Sequence, residues 1–432
     1  MILKNIFKSK LVGNTAIYAL ANVLNGAIPF LLLPILTRVF TPEEYGLVTL
    51  ITAVIAIMGA FTGLSVHGAV NVKYFDKEIN HPKFVGASLM VLAGSTCAVL
   101  VFLLFAGDKL SAWIHLPKQW LIIAAIASAA QFVINIRLTM WQVQEQAIRY
   151  GFFQVTQTLF NLTLSLALVF WMVLGWEGRA WGIVLAIIVF GSLAIVSLHR
   201  EKLVNWRGDK QYAKAAMRFG VPLIPHVVGA LAISVVDRPL IASILGAGNL
   251  GNYAVGMQLA MIVGMLSHAA LNAYLPYLYY NLSKNDHLIN KSLVCKTYIL
   301  FGFILLVTFL YSLVLPFIFQ KFVGERFNNS LFIAKIAIVG YAFEGMYYMI
   351  AGLFFHKCRT ALLSSVTITC GIFGLCLTYV WVKNYGIEGA AWSFVITQSI
   401  YFVCTWIISM KIAPLPWFNF DCIRPRLDKI SR

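Results

Sequence analysis

Five charged side chains lie inside long apolar stretches: Arg137, Asp237, Arg238, Lys335 and Glu344. A charge at the centre of a membrane-spanning helix costs about 2.5–3.5 kcal/mol on insertion scales. Each therefore requires a partner, water or a task. Asp237 and Arg238 are adjacent and precede Pro239. On a continuous helix, His226, Ser234 and Asp237 share one face. The pair serves either to hold helices together or to line a hydrated cavity. Arg137 lies near one end of its stretch, where it can extend outward or face a substrate. Lys335 and Glu344 are nine positions apart, half a turn out of phase on a regular helix. Lys335 is expected to reach the boundary, which leaves Glu344 as the intramembrane carboxylate.

Uncharged polar residues form stripes at helical spacing. One stripe is Ser128, Gln131, Asn135, Thr139 and Gln142, and a second is Gln154, Thr158, Asn161 and Ser165. A third is Asn14, Tyr18, Asn22 and Asn25, followed by Pro29, and His268 and Asn272 form a shorter one. A single stripe can be interhelical hydrogen-bonding glue. Several together predict a water-accessible interior. The expected pathway residues are Arg238, Arg137, Asn22, Asn25, Gln131, Asn135, Gln154, Asn161, His268 and Asn272. Asp237 and Glu344 are the candidates for ion coupling, which needs a carboxylate that titrates in place.

The elements that carry these residues follow from composition. The chain has 432 residues, of which 60% are hydrophobic and 11% charged, with a mean hydropathy of +0.82. A soluble domain carries about 25% charged residues, so lipid is the fitting solvent. Twelve stretches reach spanning length, near 12–36, 45–70, 84–106, 120–141, 150–174, 181–199, 219–245, 252–280, 293–315, 330–354, 361–382 and 389–410. The predicted fold is all-α: a polytopic membrane protein of twelve transmembrane helices in two six-helix lobes, 1–208 and 209–410, with a basic tail at 411–432. The basic start (Lys4, Lys8, Lys10) and Ala19-Leu20-Ala21 resemble a signal peptide, but the apolar run reaches Leu36. An uncleaved first helix is expected.

Of the 33 Lys and Arg residues, 23 fall in the N-terminus, the even-numbered loops and the C-terminus, against seven in the odd-numbered loops. Both termini are therefore expected in the cytoplasm. The net charge of +17 reads as this orientation signal and as affinity for anionic lipid, not as nucleic-acid binding. Glu177-Gly178-Arg179-Ala180-Trp181 recurs as Glu388-Gly389-Ala390-Ala391-Trp392, and Glu43-Glu44-Tyr45-Gly46 is echoed by Leu250-Gly251-Asn252-Tyr253. The similar offsets predict two parallel repeats about an axis along the membrane normal. Pro29 and Pro34 in helix one correspond to Pro222, Pro225 and Pro239 in helix seven, and interrupted helices at matched positions point to a transport pathway.

Seven cysteines show no CxxC or zinc spacing and read as packing residues or free thiols. There is no Walker A, GxSxG or HExxH, and no motif requires a catalytic residue, cofactor or metal. No loop is long enough for the catalytic domain of a membrane glycan polymerase.

The order of several short motifs resembles the polysaccharide-synthesis transporters, the Wzx-type repeat-unit flippases of the multidrug/oligosaccharidyl-lipid/polysaccharide exporter superfamily, which includes the MATE transporters. The motifs are Gly13-Asn14-Thr15, Pro29-Phe30-Leu31-Leu32-Leu33-Pro34-Ile35-Leu36-Thr37-Arg38, Thr41-Pro42-Glu43-Glu44-Tyr45-Gly46, Asp237-Arg238-Pro239, Phe322-Val323-Gly324-Glu325-Arg326-Phe327 and Tyr385-Gly386-Ile387-Glu388-Gly389. The resemblance implies a V-shaped bundle in the bacterial inner membrane. It implies that an oligosaccharide on undecaprenyl diphosphate is turned across by alternating access, for O-antigen, capsule or exopolysaccharide. A polysaccharide polymerase and a chain-length regulator are the implied partners. By the resemblance, Arg238 and Arg137 match the cationic theme of family cavities, and Arg38 belongs at the outer mouth. The few deep cations suit neutral sugars. A drug antiporter of the same superfamily and a membrane glycan polymerase are the alternatives.

Overall fold

A computed structural model describes residues 10–417 apart from 75, 77, 208, 283–286 and 358, and their side chains except 10–16, 19, 23, 273, 276 and 287. Asn14, Cys358, Cys422 and most of the 411–432 tail lie outside these. The described chain is helical throughout, and its cysteines Cys97, Cys295, Cys370, Cys376 and Cys404 are free.

Among the described residues, eleven helices are long and apolar enough to cross a membrane. The last, Thr360–Ile412, has 53 residues. At 1.5 Å per residue a straight helix of that length is about 80 Å, against a hydrocarbon core of about 30 Å. It breaks at Gly386 (φ 61, ψ −143). Hydrogen bonds between Thr378 and Ser393 (2.9 Å) and between Thr367 and Tyr401 (2.8 Å) join its two arms. It is thus an antiparallel hairpin, and among the described residues the spanning segments number twelve. A side chain at Gly386 meets no neighbour, but this backbone region is essentially restricted to glycine. Gly386→Ala is expected to lower stability by about 1–3 kcal/mol, seen as a lower thermal midpoint in detergent with spectra otherwise unchanged.

The elements are α1 (Lys10–Val39), α2 (Pro42–Phe61), α3 (His67–Lys73), α4 (His81–Ile114), α5 (Lys118–Val143), α6 (Ala147–Phe170), α7 (Gly175–Arg200), α8 (Lys210–Gly220), α9 (Ile224–Ser234), α10 (Asp237–Leu245), α11 (Ala247–Leu282), α12 (His287–Phe322), α13 (Ser330–His356) and α14 (Thr360–Ile412). They form two compact units, Met1–Gly251 with Gly324–Arg326, and Asn252–Val323 with Phe327–Arg432.

Local chemistry explains several motifs. Thr41-Pro42-Glu43-Glu44 is a capping box: the Glu44 amide donates to Thr41 Oγ1 (3.2 Å), and the Thr41 amide donates to Glu44 Oε2 (2.9 Å). It satisfies amides that the first turn leaves without intrahelical partners, and Pro42 has no amide hydrogen to lose. The repeated Glu-Gly-x-Ala-Trp has one structural meaning in both copies. Gly178 abuts the backbone of Leu168 in the α6–α7 hairpin, and Gly389 abuts that of Trp381 in the α14 hairpin. A Cβ at either position would press on the neighbouring chain, so the motif marks where two helices cross at backbone contact. In the first unit, Trp120 packs on Trp176 (5.6 Å) and Trp181 (5.2 Å), matching the aromatic girdle of a membrane boundary.

Two predicted continuous helices are broken. Helix two stops at Phe61, turns through Gly63, Leu64 and Ser65, all at positive φ (76°, 48° and 56°), and resumes as α3. Helix seven begins earlier than hydropathy indicates, at Lys210, because Lys210, Lys214 and Arg218 recur on one face of α8. A 3-10 turn at Val221–Leu223 follows, and a second break separates Ser234 from Asp237. Pro239 has no amide to donate to the Val235 carbonyl and its ring crowds that carbonyl. The face shared by His226, Ser234 and Asp237 on a regular helix is therefore interrupted.

Candidate functional site

The predicted pathway residues fall into several groups. In the first unit, Gln131 and Asn135 stand one turn apart on α5, and Gln131 Nε2 donates to Asn135 Oδ1 (3.1 Å). With Ser128 and His67 they line a cavity of about 320 Å³ between α2, α3, α5 and α9. Ser128 shares a hydrogen bond with Thr62 at the helix-two break (2.9 Å). The polar stripe read from the sequence is thus divided: its first three members reach this cavity, whereas Gln142 is exposed.

The stripes of α1 and α6 face each other. Tyr18 and Tyr150 meet edge to face at 5.0 Å. Tyr150 Oη donates to Asn22 Oδ1 (3.5 Å), and Thr158 Oγ1 donates to Asn25 Oδ1. Gln154, between them, keeps a buried Oε1 without a partner among the described residues. Two turns along α6, Arg179 Nη1 donates to Asn161 Oδ1 and Ser165 Oγ, both at 2.6 Å. Arg179 counts among the outer-loop cations in a sequence reading, yet it lies in the second turn of α7. The repeat carried a signal: its second copy has Ala390 at this position, so the cation belongs to one half only. No carboxylate ion-pairs with Arg179 among the described residues.

Arg137 does not extend outward. It is fully buried on α5, its Nη2 2.5 Å from Glu201 Oε1, its Nε donating to Ser197 Oγ (2.9 Å) and its guanidinium 4.0 Å above Trp141. Glu201 also lies 3.2 Å from Arg149. Arg137 thus ties α5 to the end of α7.

Asp237 and Arg238 sit at the second break of helix seven. Arg238 Nη1 donates to the Ser234 carbonyl (2.5 Å) and lies 3.8 Å from Asp237 Oδ1. The break frees carbonyls at the end of α9, and the guanidinium satisfies one of them. The Asp237 carboxylate starts α10, where a helix N-terminus favours negative charge. The pair therefore stabilises the interruption itself.

In the second unit, residues chosen separately converge. Tyr348 Oη donates to Glu344 Oε1 (3.1 Å) on α13. The His268 ring of α11 packs on Tyr348 at 4.2 Å. Tyr347 and Tyr348 lie 5.1 Å apart, and Tyr401 of α14 stacks on Tyr347 at 4.0 Å. Tyr401 Oη donates to Tyr347 Oη (2.6 Å) and shares a hydrogen bond with Thr367 (2.8 Å). Glu344 is half-buried and forms no ion pair among the described residues. Asn272 and Lys335 are both exposed. Sequence reading missed the tyrosines because aromatic residues in apolar helices carry no distinguishing period. No group of three or more His, Cys, Asp or Glu able to hold a metal occurs among the described residues.

The chain resembles several known proteins. Two are from Haemophilus influenzae. The Lsg locus putative protein 1 is 24% identical over 410 residues, spanning 91% of this chain and 98% of that protein. An uncharacterized membrane protein is 26% identical over 355 residues, spanning 77% and 84%. Among solved structures, the lipid II flippase MurJ in an inward closed conformation superposes with a TM-score of 0.72 at 14% identity, covering 91% of this chain and 87% of its own. An inward-facing multidrug resistance MATE family transporter of the MOP superfamily gives 0.69 at 14% identity, covering 92% and 95%. These structures establish a shared all-helical membrane fold of two lobes. The polysaccharide biosynthesis protein family model matches residues 11–282, well over half of the chain, and this multi-pass membrane protein belongs to that family.

Proposed function

We propose that the protein turns undecaprenyl-diphosphate-linked oligosaccharide repeat units from the cytoplasmic to the periplasmic leaflet of the bacterial inner membrane by ion-coupled alternating access, for assembly of a surface polysaccharide. The observation that carries this reading is the density of neutral hydrogen-bonding groups within spanning helices of a polysaccharide biosynthesis family member. Asn22, Asn25, Gln131, Asn135, Gln154 and Asn161 all lie in the first unit. Sugar hydroxyls exchange hydrogen bonds with such groups without the cost of burying a charge. Arg238, at a broken helix where among the described residues its guanidinium holds the Ser234 carbonyl and lies 3.8 Å from Asp237, supplies charge for the diphosphate. Glu344 supplies the coupling carboxylate. A polymerase and a chain-length regulator receive the product.

Deletion of the gene is expected to abolish the surface glycan and to leave sensitivity to cationic drugs unchanged, with the full chain restoring the glycan in trans. An intact glycan with raised drug sensitivity in the deletion strain overturns the reading in favour of an antiporter.

A further inference from the structure

The cavity in the first unit has two unlike walls. One is polar: His67 on α3, and Ser128, Gln131 and Asn135 on α5. The other, from α2 and α9, is mostly apolar: Ile55, Ala56, Val227 and Leu231 line it, and the Thr52 hydroxyl beside them donates to the Thr49 carbonyl of its own helix (2.8 Å). Among the described residues, no Asp, Glu, Lys or Arg lines it. The internal bond from Gln131 to Asn135 uses one amide hydrogen and one carbonyl. This leaves the Gln131 carbonyl and the Asn135 amide hydrogens for an occupant. His67 Nδ1 is buried without a partner among the described residues. The volume, about 320 Å³, is at the lower end of the ~300–1,000 Å³ range of small-molecule pockets, the size class of a single sugar ring rather than a chain.

The backbone is shaped to present this wall. Leu64 and Ser65 hold left-handed φ without being glycine, a cost that clusters at functional sites. The turn places His67 edge-on to Phe132 at 5.5 Å. Gly63 has no Cβ where one would overlap the Phe132 ring.

We propose that this cavity is a one-ring subsite for a neutral sugar of the lipid-linked oligosaccharide, an inference that rests on the transport reading above. A pyranose has a hydroxylated edge and a C–H face, which match the polar and apolar walls. An acidic sugar would bring a carboxylate to a wall with no cation. A purely apolar ligand would leave His67, Gln131 and Asn135 unpaired.

The test uses the full-length protein in phosphatidylethanolamine/phosphatidylglycerol nanodiscs and saturation-transfer NMR, with methyl α-glucoside, N-acetylglucosamine and glucuronic acid as probes. At least one neutral sugar is expected to bind, with no transfer to glucuronic acid. Gly59 lines the cavity, and a Cβ there meets nothing within 4 Å. Gly59→Leu therefore fills the cavity from a helical position and is expected to weaken the neutral signal at least about tenfold by occupying the ring's space, as much as the loss of about one hydrogen bond's free energy at Asn135 would. Asn135→Leu, with the fold checked by its melting midpoint, gives the same loss and decides the matter if Gly59→Leu does not fold. Equal transfer to glucuronic acid, no transfer to either neutral sugar, or a neutral signal unaffected by the folded variants overturns the subsite. Neutral binding that Asn135→Leu removes, in a protein whose deletion leaves the glycan intact, overturns the transport reading and the lipid-linked origin of the sugar, and leaves the cavity a neutral-sugar site. A lost glycan with no neutral binding overturns the subsite alone.

Discussion

Glu344→Gln is expected to reduce surface polysaccharide to the level of the gene deletion while the protein still folds and reaches the membrane. The substitution is nearly isosteric, and the Gln carbonyl still accepts the hydroxyl that Tyr348 donates to Glu344 (3.1 Å). What it removes is the ability to change charge. Glu344 faces Tyr347 and Tyr348 on its own helix, with His268 from α11 packed on Tyr348 and Tyr401 from α14 stacked on Tyr347. None of these supplies a fixed cation. On the proposed transport reading, such a carboxylate is where the coupling ion would bind during the cycle. The measurement is surface glycan per unit of membrane-inserted protein, with Glu344→Asp and Tyr348→Phe beside it. Aspartate retains a titratable group and is expected to preserve part of the activity. Full transport by a folded Glu344→Gln protein would remove Glu344 from the coupling step.

Glu201→Gln is expected to destabilise the first unit by about 3 kcal/mol, more than Arg137→Met does, although the two break the same ion pair. The asymmetry follows from burial. Arg137 is fully enclosed, whereas the Glu201 side chain is 33% exposed. Neutralising Glu201 strands a buried guanidinium, and breaking a buried pair in this way costs about 3–5 kcal/mol. We take the lower end because the Ser197 hydroxyl and the Trp141 face remain. Removing Arg137 leaves a carboxylate that water reaches and that Arg149 still approaches at 3.2 Å, so its cost is about 1–2 kcal/mol. The double variant should be more stable than Glu201→Gln alone. Thermal unfolding of the four proteins in one detergent, read by tryptophan fluorescence, gives the cycle. Equal losses in both single variants would contradict the burial argument. The same data separate a structural Arg137 from one that meets substrate: a guanidinium held by Glu201, Ser197 and Trp141 reaches a diphosphate only by giving up that pair.

Composition and hydropathy alone determined that the chain is an all-α, multi-pass membrane protein, because only long apolar helices satisfy their own backbone in lipid. The order of short motifs was enough to indicate the family. The interruption between the last two spanning stretches, 361–382 and 389–410, was also legible, because a turn acts through residues a few positions apart. Tertiary structure decided what each polar residue does. Arg137 and Glu201 lie 64 positions apart in sequence, and their pairing depends on how α5 packs against α7. Arg179 looked like a loop cation until α6 supplied Asn161 and Ser165. Glu344 and His268 share a site only because Tyr348 stands between them. The helix-seven face dissolved because Pro239 cannot donate to the Val235 carbonyl, which accepts from the Arg238 amide instead (3.1 Å), a local effect whose consequence for Asp237 and Arg238 depends on the path taken after the break. Hydropathy reports which side chains enter the bilayer, since transfer from water to lipid depends on residue type. Which of them meet depends on packing between helices distant in sequence, and no one-dimensional period records it.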